Sequence, residues 1–117
     1  MLLDMSSINA VQDLNFEDVP VPEWGGEVRV RTMTGTERDA WEASLSPAGV
    51  KGGPDLANLR ARLLVKCLVD AQGGRLYDDD EAVFLGAKSA GALERLFVVA
   101  QRLNGLGTSA VETAEKN

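Results

Sequence analysis

The stretch Asp55–Asp80 constrains the fold of this chain more than any other part of the sequence. Its leucines recur at helical spacing with polar side chains between them, which predicts an amphipathic helix that ends at Val69 or Asp70. Gly73-Gly74 then predicts a turn, Arg75–Tyr77 a short extended piece, and the following acidic residues the start of another helix. Nothing in this stretch is a chemical motif.

Two more helices are indicated by their start and stop signals. Thr34 followed by Glu37 fits a capping box and opens a helix that is predicted to reach Leu45. Ser89 can cap the last helix, which Asn104-Gly105 is expected to end. The basic side chains of the central helix are predicted to form a solvated face: Arg60, Arg62 and Lys66.

A β-hairpin is predicted near the N-terminus. Leu14–Pro22 has two prolines, which exclude a helix and a central strand but permit an edge strand. Trp24–Gly26 is a turn, and Glu27–Met33 alternates apolar and polar residues as a half-buried strand does. The predicted fold class is therefore α+β, with an N-terminal β-hairpin packed on a small bundle of three to four helices.

The chain is 117 residues long, which predicts one domain with enough surface to bury a core without disulfides. That domain is assigned to residues 14–106. Residues 1–13 are predicted to be an N-terminal arm, with a short helix opened by Ser6-Ser7 as the alternative. Residues 46–54, rich in glycine and proline, are predicted to be a loop, and residues 107–117 a disordered C-terminal tail.

The formal net charge of −6 argues against some classes of partner. Binding to nucleic acid needs a positive footprint on the protein, and adsorption to anionic membranes needs one as well. The first residues have neither the basic region nor the apolar run of a signal peptide, and no segment is long and apolar enough to span a bilayer. We therefore expect a cytosolic protein with no nucleic-acid or membrane partner.

No catalytic, cofactor or metal site is predicted. The chain has no histidine, so Cys67, its only cysteine, has no such base beside it and is expected to be a buried core residue. The segment Asp70–Glu81 has the length of a calcium loop. However, Gln72 and Gly74 stand at ligand positions, and Arg75 replaces the glycine that the loop needs. The sequence therefore argues against an enzyme and against a calcium-binding module.

The order of these features resembles the tail assembly chaperones of siphophages. The resemblance covers residues 16–106. Its motifs are a Pro-Glu-Trp-Gly-Gly turn before the alternating strand, a Thr-Gly-Thr-Glu-Arg-Asp helix start, and two longer patterns. These patterns are Leu-Val-Asp-x-x-Gly-x-x-Leu-Tyr-Asp-Asp-Asp, and Leu-x-x-Leu-Phe followed by Arg-Leu-Asn-Gly-Leu.

The resemblance implies a non-enzymatic role in the host cytoplasm. Such proteins bind the tape measure protein, keep it soluble while the tail tube assembles, and are not retained in the virion. A longer form made by programmed frameshifting is thought to recruit the tail tube protein. Glu115–Asn117 can be encoded by a slippery heptamer, so the chain is interpreted as the short, zero-frame product. A homo-oligomer is possible, and the sequence does not determine the oligomeric state.

Three large apolar side chains are predicted to contact the partner: Trp24, Trp41 and Phe84. A groove between amphipathic helices is the expected kind of surface for a helical client. The alternative function is another small phage morphogenesis protein, a connector or tail completion factor, that would remain in the particle.

Overall fold

The computed structural model describes residues 1–46 and 55–106. Within these residues three antiparallel strands form a sheet in the order β1-β2-β3, namely β1 (Phe16–Val21), β2 (Gly26–Arg31) and β3 (Leu68–Val69). The helices are α1 (Met5–Ala10), α2 (Gly35–Leu45), α3 (Leu59–Cys67), α4 (Ala82–Gly86) and α5 (Ala90–Leu103). Short 3-10 helices cover Pro22–Trp24 and Asp79–Glu81. This architecture confirms the predicted α+β class.

The predicted hairpin is formed by β1 and β2. Gly25 turns the chain with a φ of 77°, a conformation that glycine adopts without strain. Val19 pairs with Val28 across the two strands, and Val30 is fully buried on the same face. The other face carries polar side chains, as the alternation predicts.

The capping box of α2 is confirmed. The Thr34 hydroxyl accepts a hydrogen bond from the Glu37 backbone N–H at 3.1 Å, and the Glu37 carboxylate accepts one from the Thr34 N–H at 2.9 Å. The same carboxylate accepts from the Arg31 guanidinium at 2.7 Å. The start of α2 is thereby joined to the end of β2.

The central helix is shorter than predicted at both ends. Asn58 has a φ of 52°, so the helical conformation begins only at Leu59. At the other end Leu68 and Val69 pair with β2 and form β3. The helical spacing of apolar residues continues through Leu68 and Val69. Their conformation is nevertheless extended, because they pair with the edge of the sheet, and the spacing alone does not reveal that pairing.

The core lies where α5 packs on α3 and on the hairpin. Asn104, predicted only as a helix stop, ties this junction together. Its side-chain Oδ1 accepts a hydrogen bond from the Met33 N–H at 2.7 Å, and its Nδ2 donates to the Ala100 carbonyl at 2.8 Å. Since a buried amide N–H without a partner is costly, Asn104 stabilises the exit from β2 as well as the end of α5.

Several predictions fall outside the described residues. These are the loop at 46–54 apart from Ser46, the C-terminal tail at 107–117, and the frameshift site at Glu115–Asn117. Residues 1–13, predicted to be an N-terminal arm, are described. They contain α1, a short helix as in the alternative prediction, but it is capped by Asp4 through a 2.8 Å hydrogen bond from the Ser7 N–H and is not opened by Ser6-Ser7. Among the described helices, none combines the length and the apolar character needed to cross a membrane.

Candidate partner-binding surface

Helix α4 presents two apolar side chains to solvent. Ala82 and Leu85 face the core, so Val83 and Phe84 between them point away from it. Phe84 is 64% exposed. A phenylalanine with this much exposed surface, next to an exposed valine, is a candidate contact for an apolar partner.

The acidic segment before α4 holds that helix in place. Asp79 accepts hydrogen bonds from the Arg75 guanidinium at 2.6 Å and from the Lys66 ammonium at 3.0 Å. Both hydrogen bonds hold the pKa of the Asp79 carboxyl below its usual range, and the bond from Arg75 has the larger effect. The prediction that Lys66 belongs to a solvated face was wrong. Lys66 is only 6% exposed, because its stem is covered where it reaches towards Asp79.

Arg62 also departs from the predicted solvated face. Its guanidinium donates to the backbone carbonyls of Ser44, Asp55 and Ala57 at 2.8, 2.9 and 2.6 Å, and to the Ser44 hydroxyl at 2.9 Å. Arg62 thus connects the end of α2 to the segment that precedes α3. Of the three basic residues that were predicted to form a solvated face, only Arg60 is well exposed.

A groove of about 750 Å³ lies between the N-terminal ends of α3 and α5. Half-buried Leu56 and the nearly buried Leu59 and Leu93 line its apolar part, and Arg60, Lys88 and Glu94 contribute charged groups. Arg60 and Glu94 form an ion pair across the groove. The position between two amphipathic helices matches the surface expected for a helical client, and binding there stays a prediction.

The two tryptophans occupy different environments. Trp24 is half-buried at the hairpin turn, where it packs against the core and keeps part of its ring accessible. Trp41 is 2% exposed and lies inside the core. In this structure Trp41 has almost no exposed surface that a partner could contact. Its burial agrees with the apolar spacing of α2 and not with the predicted partner-binding role.

The N-terminal arm exposes apolar side chains that the sequence reasoning did not select. Every residue from 1 to 13 is exposed, including six large apolar ones: Met1, Leu2, Leu3, Met5, Ile8 and Val11. The sequence already shows these six large apolar residues within its first eleven positions, but it does not show that they are exposed.

The acidic residues of the predicted turn have structural uses. The Asp70 carboxylate accepts hydrogen bonds from the backbone N–H groups of Gln72 and Gly74, both at 2.9 Å, and closes the turn between α3 and α4. The carboxylates of Asp78, Asp80 and Glu81 lie within 4.8 Å of one another at the 3-10 helix. The Glu81 carboxylate accepts a hydrogen bond from the Asp78 N–H at 2.7 Å, and Asp78 and Asp80 are exposed at the start of the helix, where its dipole favours acids.

Cys67 is fully buried, as predicted, and burial raises the pKa of its thiol to about 12. Asn104 Nδ2 lies 3.7 Å from the sulfur and opposes this shift only in part. The raised pKa leaves very little of the thiol in the thiolate form, which is the nucleophile, so Cys67 is expected to react poorly.

We expect alkylation of Cys67 by iodoacetamide at pH 8 to be slower in the folded protein than in urea by about two to three orders of magnitude. Three pKa units separate the folded thiol from its ordinary value of 9.0, and each unit lowers the thiolate fraction tenfold. Mass spectrometry of timed samples measures both rates on the only thiol of the chain. Similar rates in the two conditions would contradict the buried position.

Comparison with known proteins identifies the family of this chain. The chain belongs to the phage tail assembly chaperone family, because the model of that family matches residues 7–116. The structure is also similar to that of the bacteriophage HK97 tail assembly chaperone, with a TM-score of 0.59 and 20% sequence identity. This match covers 85% of the present chain and 91% of the HK97 chain. At this level of identity the likeness shows a shared fold. No curated protein sequence matches the chain.

Proposed function

We propose that this protein binds the tape measure protein of its phage and keeps it soluble while the tail tube assembles. Membership of the tail assembly chaperone family over nearly the whole chain carries the proposal. The role is non-enzymatic and is performed in the host cytoplasm. It needs a surface that covers apolar parts of a client, and it needs a complex that stays in solution.

The described surface supplies candidates for the first requirement. The groove between α3 and α5 has a lining that is partly apolar, with charged groups at Arg60, Lys88 and Glu94. Phe84 and the accessible part of Trp24 are the further contacts that we propose. The net charge of −6 supports the second requirement, because charge away from zero opposes aggregation.

Phe84→Ser is expected to weaken binding to the tape measure protein by about tenfold or more. An exposed aromatic side chain that becomes buried at an interface commonly contributes this much. The measurement is co-purification from co-expressing cells, followed by titration of the purified partners. Val98→Ser is the matched control, since Val98 is also exposed, at 51%, but lies on α5.

Two outcomes would count against parts of this proposal. Equal affinity of the Phe84 variant and the wild type would remove Phe84 from the binding surface. Failure of the wild type to bind the tape measure protein would contradict the function itself.

We further propose that the protein leaves before the tail is complete, and that a frameshifted long form recruits the tail tube protein. Support comes from the family together with the slippery spelling that Glu115–Asn117 permits. The gene sequence tests the frameshift directly, because a non-slippery spelling or the lack of an overlapping frame would exclude it. Detection of the chain in purified virions would favour the alternative, a morphogenesis protein that stays in the particle.

A further inference from the structure

The N-terminal arm, residues 1–13, has more exposed apolar surface than a free segment is expected to carry. Its six large apolar side chains are each more than half exposed. They all fall within the first eleven residues, and such a concentration of exposed apolar side chains is typical of a place where another molecule binds.

Helix α1 needs such a contact to be stable. It has six residues, none of them buried. An isolated helix of this length is unstable in water, because the nucleation cost outweighs the few hydrogen bonds that it gains. Met5 and Ile8 are spaced three residues apart and therefore share one face of α1, and Val11 follows directly after it. This apolar face is suited to packing against a second helix.

The body of the protein begins immediately after the arm. Asn15 is tied to Thr32 by two hydrogen bonds, from the Asn15 N–H to the Thr32 hydroxyl at 3.1 Å and from the Thr32 N–H to the Asn15 carbonyl at 2.9 Å. Gln12, Leu14 and residues of the sheet, including Arg29 and Arg31, line a concavity of about 340 Å³ at the base of the arm. Both arginines are paired with acids, Arg29 with Asp18 and Arg31 with Glu37. The arm is therefore anchored beside a recessed part of the surface.

Charge indicates which partner fits the arm. Its only charged side chains are Asp4 and Asp13, and the first basic residue of the chain is Arg29. The acids nearest to the arm, Glu17 and Asp18, are already paired with arginines. A second copy of a chain with net charge −6 would bring like charges together. An amphipathic helix with lysines or arginines beside its apolar stripe would be attracted.

We propose that the N-terminal arm is a client-binding element of this chaperone. Met5, Ile8 and Val11 cover the apolar stripe of a basic amphipathic helix in the client, and Asp4 and Asp13 face the basic side chains that flank it. The inference rests on the function proposed above, since it assigns that client, the tape measure protein, to a surface. Helix α1 becomes stable when this helix packs against it.

The test replaces three arm side chains at once, as Met5→Ser, Ile8→Ser and Val11→Ser in the full chain. Its affinity for the tape measure protein is expected to fall by at least about tenfold. The urea unfolding midpoint should stay the same, because these side chains contribute nothing to the core. Val98→Ser, exposed but far along the sequence on α5, should bind as the wild type does.

A second variant tests the charge argument. Asp4→Asn with Asp13→Asn removes both carboxylates and keeps a residue that can cap α1. Its affinity should fall at low ionic strength, and the difference from the wild type should shrink as salt is added. An affinity equal to that of the wild type at every salt concentration would contradict a basic client.

The outcomes separate this inference from the function on which it rests. If the wild type binds the tape measure protein and the triple arm variant binds equally well, only the role of the arm is overturned. If the wild type does not bind, the proposed function fails and the inference falls with it. If light scattering shows a wild-type oligomer that becomes a monomer in the triple variant while client affinity is unchanged, the arm binds a second copy and the inference is wrong.

Discussion

Replacing Leu96 with alanine is expected to lower the free energy of unfolding by about 2–5 kcal/mol. Leu96 is fully buried in the middle of the α5 stripe, where that helix packs on α3 and the hairpin. The truncation removes apolar contacts and leaves a cavity that a packed core closes only in part. Because α3 and both hairpin strands pack against α5, little of this cost can be relieved by local adjustment.

Urea unfolding followed by circular dichroism measures the effect. Val98→Ala is the matched control, since Val98 lies two residues further along α5 and is 51% exposed. It should change the free energy of unfolding by less than about 0.5 kcal/mol apart from helix propensity. A loss of less than about 1 kcal/mol for the Leu96 variant would mean that α5 is not the centre of the core.

Replacing Arg62 with methionine is expected to lower the free energy of unfolding by about 2–3 kcal/mol. The guanidinium donates to three backbone carbonyls and one hydroxyl, and its side chain is only 18% exposed. Methionine keeps most of the apolar stem but leaves these acceptors without their charged donor. The end of α2 and the segment before α3 would then be joined by fewer hydrogen bonds, among them the one from the Asp55 N–H to the Leu45 carbonyl at 2.6 Å.

Arg60→Met is the matched control because Arg60 lies two residues earlier on the same helix. Its ion pair with Glu94 is about half exposed on both sides, and surface pairs of this kind contribute about 0–1 kcal/mol. The same urea experiment on both variants compares the two arginines. Equal losses would show that the carbonyl contacts of Arg62 do not stabilise the fold as argued.

Local signals in the sequence predicted the elements that depend on neighbouring residues. Thr34 and Glu37 form the capping box that their spacing indicates, and the stripe of α5 faces the core as its period requires. The hairpin followed from the glycine turn at Gly25-Gly26 and the alternation after it. In each case the interacting groups lie within a few residues of one another, so the pattern contains the information.

Interactions between distant residues were missed. Leu68 and Val69 continue a helical pattern but pair with β2, which lies far away in the sequence. Lys66 and Arg62 sit on the polar side of α3, and only the tertiary structure brings Asp79 and the end of α2 to them. A residue pattern gives the face of a helix. It does not say which other segment will cover that face.

The candidate surface was predictable only in part, for the same reason. Trp41 and Phe84 were both chosen for their size, yet the first lies in the core and the second in solvent. The apolar residues of the N-terminal arm were visible in the sequence, but their exposure is a property of the fold. The predicted partner contacts at Trp24 and Phe84 therefore remain predictions that binding experiments must test.

The most direct test of the chaperone function is the solubility of the tape measure protein in cells. It should be produced alone, with this protein, and with an unrelated acidic protein of similar size, and the lysate separated by centrifugation. We expect the tape measure protein to be soluble only when this protein is present, and to elute with it on size exclusion. The same distribution between pellet and supernatant in all three cases would contradict the function proposed here.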